Sequence, residues 1–170
     1  MDDFGSGAIA VIPRLRRYAR ALTGDAVRAD DLVQDTLERA LAKRHLWRTG
    51  SDLRAWMFTI MHNVFVNQVR AQPVEANNVA LDADALDVPA RSSPLDMLEV
   101  ADIDAAIRRL PGEQREVLLL VAIEQLSYAE AARVLEIPVG TVMSRLHRAR
   151  ERVRVTLAGE LAAGVLKVVK

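Results

Sequence analysis

Hydrogen-bond donors crowd one face of a helix predicted near the carboxyl end of the chain. At about 100° per residue, the apolar side of this helix would hold Val142, Leu146, Ala149 and Val153. The opposite side and its flanks carry Ser144, Arg145, His147, Arg148, Glu151 and Arg152. Hydroxyl, imidazole and guanidinium groups donate hydrogen bonds to base edges and phosphates in a DNA groove. The pattern therefore indicates a DNA-binding helix, with a merely solvated basic helix as the alternative.

The residues in front of this helix favour the DNA-binding interpretation. Ser127 and Glu130 fit a capping box, in which each side chain bonds the other residue's free backbone amide. A short connection at Glu136 and Ile137 follows. Pro138 suits the start of the next helix, because no amide hydrogen bond is lost there. A short helix, a tight turn and a second helix with outward donors predict a helix-turn-helix.

A second group of polar side chains recurs along a helix predicted over 53–71. Its buried face is predicted to hold Phe58, Met61, Phe65 and Val69, and a separate stripe carries Trp56, Asn63, Asn67 and Arg70. Asparagine amides pair with base edges, tryptophan stacks and arginine holds phosphate, which suits single-stranded DNA. A single tryptophan near a helix start is more often a core residue, so the two asparagines carry this interpretation.

An acidic stripe follows the helix predicted over 26–46. It consists of Asp31, Gln34, Asp35 and Glu38, opposite an apolar face. Taken alone, such a stripe indicates solvated surface. The histidines His45, His62 and His147 lie on different predicted helices, without the spacing of a metal site. We therefore expect neither a metal nor another cofactor.

Composition predicts an all-α protein made of small helical units. Hydrophobic residues make up 51% of the 170 residues and aromatic residues only 4%, a balance that favours helices with aliphatic faces. Helical periodicity is predicted over 7–22, 26–46, 53–71, 95–110, 113–124, 127–135 and 138–157. The stretch from Pro73 to Pro94 has no sustained period and predicts a linker. We expect one helical domain on each side of it.

Charge and cysteine content narrow the class of protein. The net charge is zero, yet residues 145–154 carry five arginines against Glu151 alone, so a local phosphate-binding surface is compatible with overall neutrality. The chain has no cysteine, which excludes disulfides and thiolate metal sites. The first residues make a poor signal peptide and no apolar run has the length of a membrane span. We therefore expect a cytoplasmic protein without direct membrane insertion.

The carboxyl-terminal half resembles a known family. The stretch LPGEQREVLLLVAIEQLSYAEAARVLEIPVGTVMSRLHRARERV, from Leu110 onward, is similar to region 4 of extracytoplasmic-function (ECF) RNA polymerase sigma factors of the sigma-70 family, group 4. In that family the second helix reads the −35 promoter element. The resemblance implies DNA contacts from Thr141, Met143, Ser144, Arg145, His147 and Arg148. Position 143 is usually basic in the family, and Met143 favours contact with a thymine methyl group instead.

Two amino-terminal segments carry the same resemblance. The segment ADDLVQDTLERAL, from Ala29, is similar to region 2.2, which docks on the clamp helices of the largest polymerase subunit. The resemblance implies polymerase contacts from Asp31, Gln34, Asp35 and Glu38. The segment LRAWMFTIMHNVFVNQVRAQ, from Leu53, is similar to regions 2.3–2.4, which open and read the −10 element. It implies DNA contacts from Trp56, His62, Asn63, Asn67 and Arg70, and a pocket for a flipped base in the loop 47–52.

The resemblance implies an all-α fold of two small domains, region 2 over 1–72 and region 4 over 96–170, joined by a linker over 73–95. It further implies a sigma factor without catalytic activity of its own. The expected partners are core RNA polymerase, through its clamp helices and flap, promoter DNA and an anti-sigma factor. The acidic linker residues Asp82, Asp84 and Asp87 are expected to mimic nucleic acid near the RNA exit path.

Two other functions compete with this interpretation. The first is a conventional repressor or activator that binds a palindromic operator as a dimer, without polymerase. The second is an enzyme that uses Asp30, Asp31, Asp35 and His62. An enzyme requires a pocket in which these groups converge, whereas the helical periodicity places Asp31 and Asp35 on the outer face.

Overall fold

The chain is all-helical throughout the part that the structure describes. This computed structural model describes residues 3–72 and 94–168, without the side chains of 94–99 and 161–168. The helices are α1 Asp3–Thr23, α2 Ala26–Ala42, a 3-10 turn Arg44–Leu46, α3 Leu53–Ala71, α4 Pro94–Arg108, α5 Gly112–Leu118, a π turn Leu119–Ile123, α6 Tyr128–Leu135 and α7 Val139–Val168. The predicted all-α class is confirmed. Most of the predicted linker over 73–95 lies outside the described residues.

Side-chain caps determine where the amino-terminal helices begin and end. Gly24 has a φ of 69°, which ends α1 at little steric cost. The Asp25 carboxylate accepts a hydrogen bond of 2.7 Å from the Arg28 amide and caps α2. Asp52 caps α3 in the same way, through the Ala55 amide at 3.2 Å. The sequence predicted both aspartate caps and the end of α1, and the structure confirms them.

Four helix bounds differ from the prediction by four residues or more. One is the end of α5 at Leu118, where the helix predicted over 113–124 continues as the π turn. Helix α1 begins at Asp3 and continues through Pro13. Helix α2 ends at Ala42, and the 3-10 turn that follows leaves Leu46 60% exposed. Helix α7 continues to Val168, well past the predicted end at 157. The polar and basic residues near 42–46 fit helix periodicity, which is why periodicity alone did not locate the break.

The amino-terminal helices bury an aliphatic and aromatic core. Leu15, Leu22, Leu32, Met57 and Met61 are at most 1% exposed. The ring of Tyr18 meets the ring of Phe58 edge-on, with 5.1 Å between their centroids. Burial of each large side chain contributes roughly 1.5–3 kcal/mol. This packing holds α1, α2 and α3 together and fixes which side of α3 faces outward.

The carboxyl-terminal helices form a second packed unit. Val142, Leu146 and Ala149 of α7 are at most 2% exposed, and Val153 packs partly against the same core. This confirms the predicted apolar stripe. Leu119 and Leu120, in the π turn, are buried as well. The helix-turn-helix therefore rests on α5 and the π turn.

The two units pack against each other. Helix α1 contacts α4, α5 and the π turn, and α3 contacts α6. Buried apolar residues from both units belong to one cluster. The sequence predicted two domains and a linker, and gave no sign that their surfaces would meet.

One arginine joins the ends of several helices. The Arg115 guanidinium donates to the carbonyl oxygens of Leu22 at 2.9 Å, Leu110 at 3.0 Å and Ile107 at 3.3 Å, and also to that of Arg108. The carbonyls at the ends of α1 and α4 have no partner within their own helices. Burial lowers the pKa of Arg115 below its ordinary value, with a further contribution from Arg108. The fork of donors thus ties α4 and α5 together and reaches across to α1.

The Arg115→Met variant tests this role, because methionine keeps an apolar stem and removes every donor. We expect the free energy of unfolding to fall by about 3 kcal/mol, since several hydrogen bonds to a charged group are lost. Urea denaturation followed by circular dichroism measures the change. Arg133→Met, at an exposed position of α6, serves as the control. Equal stability of the two variants would contradict the role given to Arg115.

Candidate nucleic-acid and polymerase surfaces

A reciprocal cap fixes the start of the helix-turn-helix. The Ser127 amide donates to the Glu130 carboxylate at 2.7 Å, and the Glu130 amide donates to the Ser127 hydroxyl at 3.2 Å. The hydrogen bond from the Ser127 amide, with a smaller contribution from the Ser127 side chain, lowers the pKa of Glu130, because both favour the charged carboxylate. The predicted capping box is confirmed.

The turn between α6 and α7 uses a left-handed residue. Glu136 has a φ of 54°, which is uncommon for a residue other than glycine. The Ile137 amide bonds the Ala132 carbonyl at 3.1 Å and closes the turn. This geometry sets the angle at which α7 leaves α6. No glycine in the sequence marks the position, so the sequence predicted the connection but not its conformation.

Helix α7 presents most of its predicted DNA-contacting residues to the outside. Met143 is 52% exposed, and Ser144, His147 and Arg148 are exposed as well. Thr141 is partly buried, and its carbonyl accepts the Ser144 hydroxyl at 3.1 Å. The first turns of α7 therefore carry one continuous polar surface.

Arg145 has a partner that the sequence did not predict. Its guanidinium lies 3.0 Å from the carboxylate of Glu113, in the first turn of α5. The Arg145 side chain is 25% exposed and that of Glu113 is 72% exposed. Glu113 therefore holds Arg145 against the body of the domain, at the edge of the exposed surface of α7. Sequence periodicity reports only neighbours along one helix, which is why this pair escaped prediction.

Helix α3 divides its predicted DNA-contacting residues between two environments. Asn63, Asn67 and Arg70 are exposed and follow one another along the helix. The Trp56 ring is partly buried against Phe4, with 6.0 Å between the ring centroids. The His62 side chain is 14% exposed, and its Nδ1 lies 2.8 Å from the Glu116 carboxylate. The structure thus brings three of these five residues to one open surface.

The loop that precedes α3 is tied to the core at one end. The Trp47 ring packs against Phe4 with 5.7 Å between centroids, while residues 48–52 are exposed. The buried indole N–H of Trp47 has no hydrogen-bond partner in the described part of the chain. Gly50 has a φ of 88° and open space around it.

The acidic stripe of α2 is exposed throughout. Asp31, Gln34, Asp35 and Glu38 all face outward. The Gln34 amide donates to Glu38 at 3.2 Å, and the Gln68 amide of α3 donates to Asp35 at 2.8 Å. The stripe therefore lies beside the polar surface of α3.

Among the described side chains of residues 3–72 and 100–160, no cluster of histidine and acidic groups has the arrangement of a metal site. None of the helices in those ranges is long and apolar enough to cross a membrane.

Two family models match the chain in the order predicted. The Sigma2 domain of PhyR matches residues 9–62, and Sigma-70, region 4 matches residues 101–153. The ECF RNA polymerase sigma factor EcfG of Rhodopseudomonas palustris is 40% identical over 159 residues, which cover 92% of this chain and 86% of EcfG. The chain belongs to the ECF sigma factor family. ECF sigma factor SigL of Mycobacterium tuberculosis is 38% identical over 150 residues, with 84% and 82% of the two chains covered.

Solved structures agree with this membership. The sigma factor RpoE of Bartonella quintana, solved with the anti-sigma factor NepR, matches with a TM-score of 0.78 and 35% identity, covering 93% of this chain and 98% of RpoE. CnrH, solved with the cytosolic domain of CnrY, matches with a TM-score of 0.66 and 27% identity, covering 92% and 88%. This ECF sigma factor directs transcription initiation with RNA polymerase and is not an enzyme.

The capping box generates a pH-dependent prediction. Because the pKa of Glu130 is lower in the folded chain than its ordinary value of 4.5, its stabilisation is present above that value. It is lost as the pH falls through the lowered pKa. Glu130→Ala should therefore cost about 1 kcal/mol of stability at pH 7, and less in acid. Urea titrations from pH 7 to pH 3 measure the difference from the unsubstituted chain.

Asp102→Ala removes an exposed acid of α4 and serves as the control. A cost for Glu130→Ala that stays constant across the titration would refute the reciprocal cap as its cause.

Proposed function

We propose that this sigma factor recognises a promoter through two surfaces, one on each helical unit. The exposed face of α7, with Met143, Ser144, His147 and Arg148, would read the −35 element in a major groove. Thr141 and Arg145 flank it and would contact phosphate. The exposure of Met143, Ser144, His147 and Arg148, on a helix whose other face is buried, is the observation that supports this assignment best.

The outer surface of α3 would bind the −10 element as a single strand. Asn63, Asn67 and Arg70 are exposed along one line, and offer amides for base edges and a guanidinium for phosphate. Trp56 and His62 would join this surface only after a rearrangement, because both are now engaged inward. The exposed part of the loop 47–52 would hold a flipped base.

The acidic stripe of α2 would bind the clamp helices of the largest polymerase subunit, and region 4 would bind the flap. Asp31, Gln34, Asp35 and Glu38 form an exposed row that suits basic residues on a partner. Two weak DNA contacts become one strong interaction when a shared scaffold fixes their spacing. Polymerase binding is therefore what makes promoter recognition strong in this proposal.

The proposal also includes an anti-sigma partner and the bounds of the two domains. RpoE of Bartonella quintana was solved with the anti-sigma factor NepR, which supports an anti-sigma partner for this chain. We place region 2 at 1–72, the linker at 73–95 and region 4 at 96–170, in the cytoplasm. Asp82, Asp84 and Asp87 of the linker would lie near the RNA exit path.

Transcription in vitro with core polymerase and a genomic promoter library tests the two DNA surfaces. We expect Arg148→Ala to lower promoter-specific transcription by roughly 5–100-fold, since a bidentate base contact contributes about 1–3 kcal/mol. Asn63→Ala should have an effect of similar size. Transcription with the Arg148→Ala variant should no longer depend on base changes in the −35 element, but it should still depend on changes in the −10 element. The Asn63→Ala variant should show the opposite dependence.

Arg109→Ala, at an exposed position between α4 and α5 that pairs with Glu160, is the matched control. Two results would defeat the proposal: both variants transcribing like this control, or the intact chain gripping a palindromic duplex tightly without polymerase.

The polymerase surface has its own test. The double variant Asp31→Asn, Asp35→Asn keeps the shape of the stripe and removes two charges. We expect its dissociation constant for core polymerase to rise by about threefold to tenfold, because exposed charge pairs contribute up to about 1 kcal/mol each. Fluorescence anisotropy at two salt concentrations measures it, and the difference should shrink at high salt. Asp102→Asn should bind as the unsubstituted chain does; if the double variant also does so, the stripe is not the polymerase surface.

A further inference from the structure

The contact between the two units contains a carboxylate that is fully removed from solvent. Glu124, at the end of the π turn, is 0% exposed. One of its oxygens accepts a hydrogen bond of 2.8 Å from the Arg17 guanidinium of α1. Its other oxygen has no hydrogen-bond partner within the described residues. Its backbone carbonyl accepts a bond of 3.2 Å from Arg54 of α3. Both helices of region 2 that face region 4 therefore converge on this one residue.

A second buried carboxylate lies in the same contact. Glu116 of α5 meets Nδ1 of His62 at 2.8 Å, and the two side chains are 11% and 14% exposed. The Tyr18 ring is buried nearby. Its burial, together with the charges of Glu116 and Glu124, raises the pKa of its hydroxyl well above the ordinary value. The bond from Arg115 to the Leu22 carbonyl adds a third polar link between the units.

We propose that these polar bonds form a latch that closes region 4 against region 2 in the free protein and withholds His62 of α3 from promoter DNA. The name latch refers to Arg17 with Glu124, Arg54 with Glu124, and His62 with Glu116. In the closed arrangement α6 packs on α3, and His62 is engaged by Glu116. The effect of the latch on DNA binding rests on the proposed function, in which α3 binds the −10 element. The closed arrangement itself does not depend on that proposal.

The chemistry of the latch makes it reversible. A buried ion pair recovers its desolvation cost only in part, because water solvates the separated charges well. The unpartnered oxygen of Glu124 would gain hydration on opening. Opening therefore costs less than separating an apolar contact of the same size. Docking of either unit on a large scaffold can supply that free energy.

The latch also accounts for three charged residues that the proposed DNA and polymerase surfaces leave unexplained. Glu116 and Glu124 are buried, and Arg17 lies at the rim with a side chain that is 49% exposed. None of them belongs to the exposed faces of α2, α3 or α7. Buried charges without a partner are costly in a small protein, and each of these carboxylates has its partner in the other unit.

Distance measurements on the free chain test the latch. The sequence has no cysteine, so Val27→Cys and Val155→Cys, at positions 70% and 56% exposed, allow specific labelling with a donor and an acceptor dye. Single-molecule energy transfer then counts closed and open molecules. We expect Arg17→Ala and Glu124→Gln each to raise the open-to-closed ratio roughly tenfold, since each removes a hydrogen bond between charged groups.

Two comparisons make this test specific. The double variant should open little further than either single variant, because both remove the same bond. Arg16→Ala removes the same charge from an exposed position next to Arg17 and should keep the distances of the unsubstituted chain. If Arg17→Ala and Glu124→Gln match Arg16→Ala, the latch is refuted. Because the assay contains no polymerase, this result is independent of the proposed function.

Transcription at limiting polymerase tests the consequence of opening. Arg17→Ala should raise the yield of promoter-specific transcript severalfold over Arg16→Ala, because a larger fraction of the chain is ready to bind. If the intact chain transcribes and Arg17→Ala opens it without raising the yield, the gating inference fails while the promoter function stands. If no variant transcribes at all, the promoter function fails, and with it the role given to the closed arrangement.

Discussion

The burial of Glu124 is the constraint on which the arrangement of this sigma factor depends. A carboxylate with no exposed surface requires a charged partner, and here the partner comes from α1 of the other helical unit. That bond, the nearby pair of His62 with Glu116, and the reach of Arg115 to α1 decide how the two units meet. They also decide which face of α3 remains open and which residues are turned away from solvent.

The DNA-reading surface of region 4 depends on a different set of contacts, all within that unit. Arg115 joins the end of α4 to α5, and the capping box starts α6. The left-handed Glu136 then sets the direction of α7. Because these contacts are internal to region 4, the exposed face of α7 would keep its geometry whether the units are closed or apart. In the proposed latch, region 4 keeps its internal contacts, and its position relative to α3 is the part that changes.

The sequence predicted the features that depend on near neighbours. The all-α class, the Asp25 and Asp52 caps, the capping box and the apolar stripe of α7 each follow from residues a few positions apart, which helix geometry relates directly. The features that it missed join residues far apart in the chain. Glu116 lies 54 positions from His62, and Glu124 lies 107 positions from Arg17. Periodicity also placed Trp56 on an outer stripe. Helix periodicity carries no information about distant residues such as Phe4, whose ring packs against that of Trp56.

A structure of this chain bound to core RNA polymerase and promoter DNA tests the opening of the two units most directly. The Arg17 guanidinium and the Glu124 carboxylate, 2.8 Å apart in the free chain, should be separated beyond hydrogen-bond distance. Helix α3 should lie on a single strand and α7 in a major groove. A promoter complex in which this bond is intact and α6 still covers α3 would contradict the account.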